Sequence, residues 1–416
     1  MNIKEFYDKA IVQRLPIIRE DIDFRKDLNN SITAFLENVK MINTDYFACD
    51  KEKQDVIIQI EKQAKLIYEI VDLYYTGQHA NAFKKFKQFF CAPKGLLEYI
   101  RVYTVATHTT EQYPGEDEHI TSQKVPTIWY RARIFENKEG HSFKEMFHIP
   151  LNKREIVNTQ RYSAPGYPCL YLGNTIYSCW EEMHRPRFDD VMFSGFKVHY
   201  DFNVYDLRIP KQADFEKNLM KSLLCMPLII ACMIRVKSYN HPFKPEYIIP
   251  QLLIDTIICN NQKSWKSRQG PFDMTWGIIY TSTHISRDFP YGADYLENIA
   301  LPVINSNDSK NYCEILASLF GISNPVCYEY EALKENTTRT YWKTVANTTP
   351  EEQLRTQYAE SKMGYLEERI KKHSNFQVLD HYVVNTPKSG IIIPQNGLPV
   401  QTNIKASGSW KIETNK

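Results

Sequence analysis

Apolar residues recur at roughly helical spacing through the first quarter of the chain. In DVIIQIEKQAKLIYEIVDLYY (55–75), Ile57, Ile58, Ile60, Ala64, Ile67 and Ile70 predict a long amphipathic helix. HANAFKKFKQFF continues the pattern after Gly77. Residues 1–112 are therefore read as a helical region with a regulatory or oligomerisation role. The stretch Thr109–Lys124 is polar and carries Pro114-Gly115, which suggests a boundary.

From Pro126 the period changes. IWYRARIF, PCLYLGN, VMFSGFKVHYDFNVYDL, GIIYTS and NIALPVI read as short strands, rich in aromatic and β-branched residues. TIYSCWEEM, residues 212–234 and residues 247–259 read as helices. The alternation predicts an α+β domain over 126–305. A C-terminal extension, 306–416, follows. Its long helix is expected to start at Thr349-Pro350, with Glu352 completing a capping box, and to end near Lys372. The Gly- and Pro-containing tail beyond Thr386 is read as loose strand or disorder.

Composition narrows the class. With 416 residues, of which 43% are hydrophobic, the chain can form two or three units with a substantial core. Charge is balanced, 51 basic against 49 acidic residues, so a nucleic-acid surface is not expected. Nine cysteines at irregular spacing, with no Cys-x-x-Cys, fit reduced thiols in a cytoplasmic protein. The N-terminus shows no apolar signal segment, and the longest apolar run, Leu223–Ile234, is too short to cross a bilayer. The eleven histidines are scattered without metal-binding spacing, and no Gly-x-Gly-x-x-Gly or P-loop occurs. No metal, no membrane and no recycled cofactor are expected.

Candidate chemistry lies in four short segments. Arg131 and Arg133, two apart on a strand, point to one side, and a guanidinium on an apolar strand calls for an anionic partner. Arg161-Tyr162-Ser163 runs into Pro165-Gly166, a turn that aims the preceding side chains. Leu170-Tyr171-Leu172 leads through Asn174 or Thr175, either able to cap, into a helix carrying Glu181 and Glu182. Gly277–Ser282 is a strand ending in two hydroxyl residues. Taken singly, each has an ordinary explanation: an exposed strand face, a loop, a core tyrosine with solvated glutamates, a polar strand end.

Together they resemble the RES domain, named for its arginine, glutamate and serine. The matching residues are Tyr130-Arg131, Arg161-Tyr162-Ser163, Pro165-Gly166, Pro168, Leu170-Tyr171-Leu172, Cys179 and Glu182. Tyr247…Gln251 and Gly277-Ile278-x-Tyr280-x-Ser282 look like longer members. Ser163 stands where many members have asparagine, and Thr175 replaces a usual serine.

The resemblance implies an ADP-ribosyltransferase-like fold. It also implies breakage of the nicotinamide–ribose bond of NAD by phosphorolysis or hydrolysis, in a growth-arresting toxin or anti-phage effector. NAD is then substrate rather than cofactor. Inorganic phosphate is a candidate co-substrate, an antitoxin or trigger protein a candidate partner, and a homo-oligomer is expected.

A carboxylate near the ribose stabilises its developing positive charge, and Glu182 occupies the family position. Glu181 should point about 100° away on the same helix. Arg131 and Arg161, with Arg133, would hold the pyrophosphate, and Lys153 and Arg154 would add charge nearby. Tyr162 and Tyr171 would pack on nicotinamide or ribose beside Ser163, and Ser282 would bind a ribose hydroxyl or the nucleophile. Relatives that transfer ADP-ribose to a protein give one alternative. Another is a HEPN-like ribonuclease built on Arg101 and His108, seven apart and so on one face if helical.

Overall fold

The computed structural model describes residues 1–93, 95–114, 120–136, 141–266, 274–284, 296–304, 311–333 and 350–379, together with short backbone strands at Tyr382–Asn385, Gly390–Ile392, Val400–Gln401 and Ile412–Thr414. It is an α+β fold.

Helices α1 (Ile3–Tyr7), α2 (Phe24–Lys40), α3 (Asp50–Tyr75), α4 (His79–Cys91) and α5 (Leu96–Tyr99) open the chain. Asp23 caps α2 by accepting the Arg25 N–H. The α3 stripe is real: Ile57, Ile60, Ala64, Ile67 and Ile70 are buried, whereas Ile58 is exposed. The helical reading ends at Tyr99, short of 112. Residues beyond it form β1 (Arg101–Val105) and the hairpin β2 (His108–Pro114) with β3 (Ile120–Pro126). The polar stretch around Pro114 thus carries a pair of antiparallel strands. β1 leaves the helical region because β7 (Phe202–Leu207) offers it an antiparallel partner from Arg101↔Asp206 to Val105↔Phe202. Arg101 and His108 therefore sit on strands, and the helix that would align them for ribonuclease chemistry does not exist. Arg101 pairs instead with Asp206 at 3.3 Å.

The remaining main elements are β4 (Ile128–Ile134), β5 (Cys169–Gly173), α6 (Ile176–Glu182), β6 (Val191–Val198), α7 (Gln212–Lys217), α8 (Leu219–Cys232), α9 (Ile248–Lys266), β8 (Thr275–Thr281), β9 (Glu297–Pro302), α10 (Glu314–Ser318), β10 (Phe320–Ser323), α11 (Tyr328–Leu333), α12 (Pro350–Glu360), α13 (Lys362–His373) and β11 (Phe376–Gln377). Among the described residues one sheet runs in the order β1-β7-β8-β9-β5-β4-β6-β10-β11, with β7 and β8 parallel and the other neighbours antiparallel.

Side chains alternate across the sheet with period two. Tyr205 and Leu207 join the core under α8, α9 and the N-terminal helices, while Phe202 and Val204 face a second core with Phe320 and Leu316. Helix α8 is buried from Ser222 to Cys232 on every side, as expected of a helix apolar all round and sandwiched between layers. The N-terminal helices share its core cluster. No helix among the described residues is long and apolar enough to cross a membrane.

The long C-terminal helix is two. Ser361 separates α12 from α13 and caps the second by accepting the Gly364 N–H at 3.2 Å. A side chain at Gly364 would meet the Tyr358 carbonyl oxygen at 2.3 Å, so the helices can only abut there through glycine. Thr349, the expected cap, lies outside the described residues.

Candidate active site

β8, β9 and β5 are sheet neighbours, and α6 returns directly from β5. That order brings the end of α6, the end of β8 and the start of β9 together. Thr175 starts α6 by accepting the Ser178 N–H at 3.0 Å. Gly173 lets helix and strand approach, since a Cβ there would lie 2.9 Å from the Cys179 sulfur.

Glu182 is the last residue of α6. Its Oε1 accepts the Ser282 hydroxyl at 2.5 Å and the Asn298 side-chain N–H at 2.9 Å. Burial raises its pKa above the ordinary carboxylate value. The Ser282 hydrogen bond, the Arg161 charge, His184 and Asn298 pull the other way. Glu181, one residue earlier, points elsewhere as the helical offset requires. It accepts from Tyr177 and from Arg185, whose Nε lies 2.9 Å away.

A cavity of about 840 Å³ opens in front of Glu182. Pockets of this size hold substantial small-molecule ligands. Arg131, Arg161, Ser163, Tyr171, Tyr239 and His284 are among its lining residues. Arg131 is its most unusual group. Its Nη1 is buried with no hydrogen-bond partner among the described residues, and burial plus the neighbouring Arg133 charge push its pKa down. An unpaired buried guanidinium nitrogen is costly, and an anion in the cavity would satisfy it.

Other expected residues take different places. Arg161 lines the cavity, but its guanidinium is spread over the Cys232 and Ile234 carbonyls, at 2.9 and 3.0 Å, and the Thr283 hydroxyl, with Tyr247 under it at 5.3 Å. It anchors the 232–234 segment and supplies positive charge near Glu182. Arg133 does not line the cavity; it donates to the Phe147 carbonyl at 2.8 Å. Tyr162 is a core side chain 1% exposed, packed against Tyr280 at 4.6 Å, and does not line the cavity either. Its Arg-Tyr-Ser segment is instead tied down through Tyr171, whose hydroxyl donates to Ser163 and accepts the Tyr162 N–H, each at 3.2 Å. Ser282 is fully buried behind Glu182, with its hydroxyl committed to the carboxylate and to the His284 N–H. It holds the Glu182 carboxylate and does not line the cavity. Lys153 and Arg154 do not line the cavity, and Arg154 donates to the Leu151 carbonyl.

Sequence reasoning missed several groups. Asn298 lies on β9, where its Oδ1 also accepts the Ser178 hydroxyl at 2.8 Å. His184, Tyr239 and His284 form an aromatic wall beside Glu182, with ring centroids 4.2 to 5.5 Å apart. His184 and Arg185 have φ of 63° and 55°, a conformation that costs about 1–3 kcal/mol each. This tight reversal after α6 turns His184 back to the cavity. His284 comes within 3.8 Å of Glu182, but burial and nearby cations lower its pKa to about 4, so at neutral pH the contact is not an ion pair. Gln251 on α9 holds the turn from below, donating to Thr159, Gln160 and Ser163 at 2.8, 2.9 and 3.1 Å.

A Bacillus subtilis (strain 168) protein named "Putative toxin YopC" is 31% identical over 333 residues, covering 74% of this chain and 69% of the relative. No family model matches the chain. No solved structure matches it.

Proposed function

The chain belongs to the family of YopC from Bacillus subtilis, and we propose that it is a toxin that degrades NAD by breaking the nicotinamide–ribose bond. One observation carries the reading. The Glu182 carboxylate, fixed by Ser282 and Asn298, shares a cavity of about 840 Å³ with Arg131, whose buried Nη1 has no hydrogen-bond partner among the described residues. The similarity of Arg131, the 161–172 segment and Glu182 to the RES pattern supplies the substrate.

Breaking this bond sends the electron pair to the nicotinamide nitrogen and leaves positive character on the ribose. An ionised Glu182 stabilises that charge, in the manner of glycosidase carboxylates. The pyrophosphate would satisfy Arg131. The pyridinium would stack on the wall of Tyr239, His184 and His284, where aromatic faces favour a cation. An incoming oxygen then bonds to the ribose carbon and loses its proton. Water gives ADP-ribose, phosphate gives ADP-ribose-1″-phosphate, and a protein side chain gives a modified protein.

The test is to incubate the full chain with NAD, with and without phosphate, and follow nicotinamide release and the ribosyl product. Nicotinamide release that vanishes in Glu182→Gln is expected. Full activity in that variant, or no release by the wild type, would overturn the reading. Expression in cells should deplete NAD and arrest growth.

A further inference from the structure

The RES-like segments end near residue 305, yet the catalytic helix is held from outside them. Helix α6 has seven residues, far below the length at which an isolated helix persists. Its placement must come from packing and from its ends. The N–H groups ahead of its first intrahelical bond need partners, and those of Ile176, Tyr177 and Ser178 each have one. The Cys179 N–H bonds the Thr175 carbonyl and the Ser178 N–H the Thr175 side chain. The Ile176 N–H donates to Glu367 Oε1 at 2.7 Å, and the Tyr177 N–H to the Tyr358 hydroxyl at 3.4 Å. Both of the latter acceptors belong to the α12–α13 hairpin. They are linked to each other, because the Tyr358 hydroxyl donates to Glu367 at 2.6 Å.

The hairpin is firmly seated. Leu366 and Ile370 of α13 share one buried cluster with Ile176 and Cys179 of α6 and with Tyr130 and Phe193 of the sheet. Gly195 makes room for this, since a Cβ there would lie 2.5 Å from Ile370. A carboxylate at the N-terminal end of α6 also matches the positive end of the peptide dipoles. From Ile176 to Glu182 the helix rises about 9 Å. α6 is thus gripped at its start by Glu367 and Tyr358 and at its end by Ser282 and Asn298.

We infer that Glu367 is a positioning residue for Glu182, acting through the N-terminus of α6, so that the C-terminal hairpin completes the active site. This rests on Glu182 acting as proposed above. Freed from Glu367, α6 can shift by a fraction of a turn, and a misplacement of about 1 Å costs on the order of 100-fold in rate.

The experiment uses full-length Glu367→Ala, Glu367→Gln and Tyr358→Phe. Ile67→Val, in the N-terminal helical core, serves as a stability control. Glu367→Ala is expected to lower kcat for nicotinamide release by about 10- to 100-fold with KM changed less than about threefold. Glu367→Gln, whose amide oxygen still accepts the Ile176 N–H, should restore most of the rate. Tyr358→Phe should fall between them and stands in if Glu367→Ala does not fold.

A kcat loss in Glu367→Ala no larger than that of the stability control overturns the inference, as does failure of Glu367→Gln to rescue. Amide hydrogen exchange across 176–182 reads the same relation without substrate. Faster exchange in Glu367→Ala is expected, and unchanged protection overturns the inference. Should the wild type leave NAD untouched while exchange responds, the functional reading alone falls.

Discussion

Asn298 donates to the same Glu182 oxygen that Ser282 holds, and its own carbonyl oxygen takes the Ser178 hydroxyl from one turn earlier in α6. A single amide thus locks the carboxylate to the helix that bears it. Replacing it by alanine leaves the Ser178 hydroxyl without this acceptor and frees one side of Glu182. Losing such a hydrogen bond to a charged group removes about 1.5–3 kcal/mol. Asn298→Ala should therefore lower kcat by roughly 10- to 100-fold. Steady-state nicotinamide release checks this; an unchanged kcat would detach Asn298 from the chemistry.

The raised pKa of Glu182 makes two pH effects. The proposed mechanism needs the ionised form, so the acid limb of kcat/KM should lie above the usual 4.5 of a glutamate. Stability runs the other way. The folded state favours the protonated form, so this contribution is present below the unfolded pKa and is lost as pH rises through the folded value. Glu182→Gln cannot ionise and should melt at a higher temperature than wild type at pH 7.5, with the gap closing toward pH 4. A melting gap that is constant with pH, or widest in acid, would contradict the assignment. His284, at about 4, is neutral across the upper part of this range and does not reverse the sign.

Arg131 and Arg133 should separate cleanly. Arg131 has a buried nitrogen without a partner, whereas Arg133 donates to the Phe147 carbonyl. Arg131→Met removes an unpaired buried charge and should leave the urea midpoint unchanged or higher, while NAD turnover falls at least tenfold. Arg133→Met leaves a carbonyl unsatisfied and should lower stability by about 1–3 kcal/mol. Equal stability losses in the two variants would argue against an anion site at Arg131.

Much of this arrangement was legible because it is local. The change from helical to alternating spacing near Pro126 marks most of the sheet, although β1 begins at Arg101, and the Asn174-Thr175 pair signals the start of α6, which Thr175 caps. The resemblance to the RES pattern pointed to Glu182, and the 100° offset between adjacent helical residues turns Glu181 elsewhere, where it accepts from Tyr177 and Arg185. What was not legible depends on neighbours distant in sequence. Arg101 and His108 fit a helix until β7 supplied a partner strand. Tyr162 reads as a ligand-facing aromatic, but Tyr280 packs on it from another strand. Asn298 carried a weak signal, a polar residue opening an apolar strand. His184, Tyr239 and His284 come from three loops that only the fold unites. Nothing in the sequence singles out Glu367 among the charged residues of α13.

The N-terminal region is wired to the cavity wall. Arg19 donates to Glu246 at 2.7 Å and to Asp27 at 3.4 Å, and all three side chains are less than 10% exposed. Glu246 precedes Tyr247, the ring beneath the Arg161 guanidinium. The backbone adds to the link: the Ile17 N–H reaches the Met233 carbonyl, and the Arg235 N–H reaches that of Ile17. Arg19→Met would leave two buried carboxylates without their cation, which costs about 3–5 kcal/mol. Because one of the stranded carboxylates, Glu246, lies next to Tyr247, KM for NAD should rise along with the loss of stability. Arg19→Met/Glu246→Gln should recover part of both, since the second change removes one stranded charge. Denaturant titrations and steady-state kinetics on the three proteins measure this. Strictly additive effects in the double variant would mean that the helical region is packed on the active-site unit without being coupled to it.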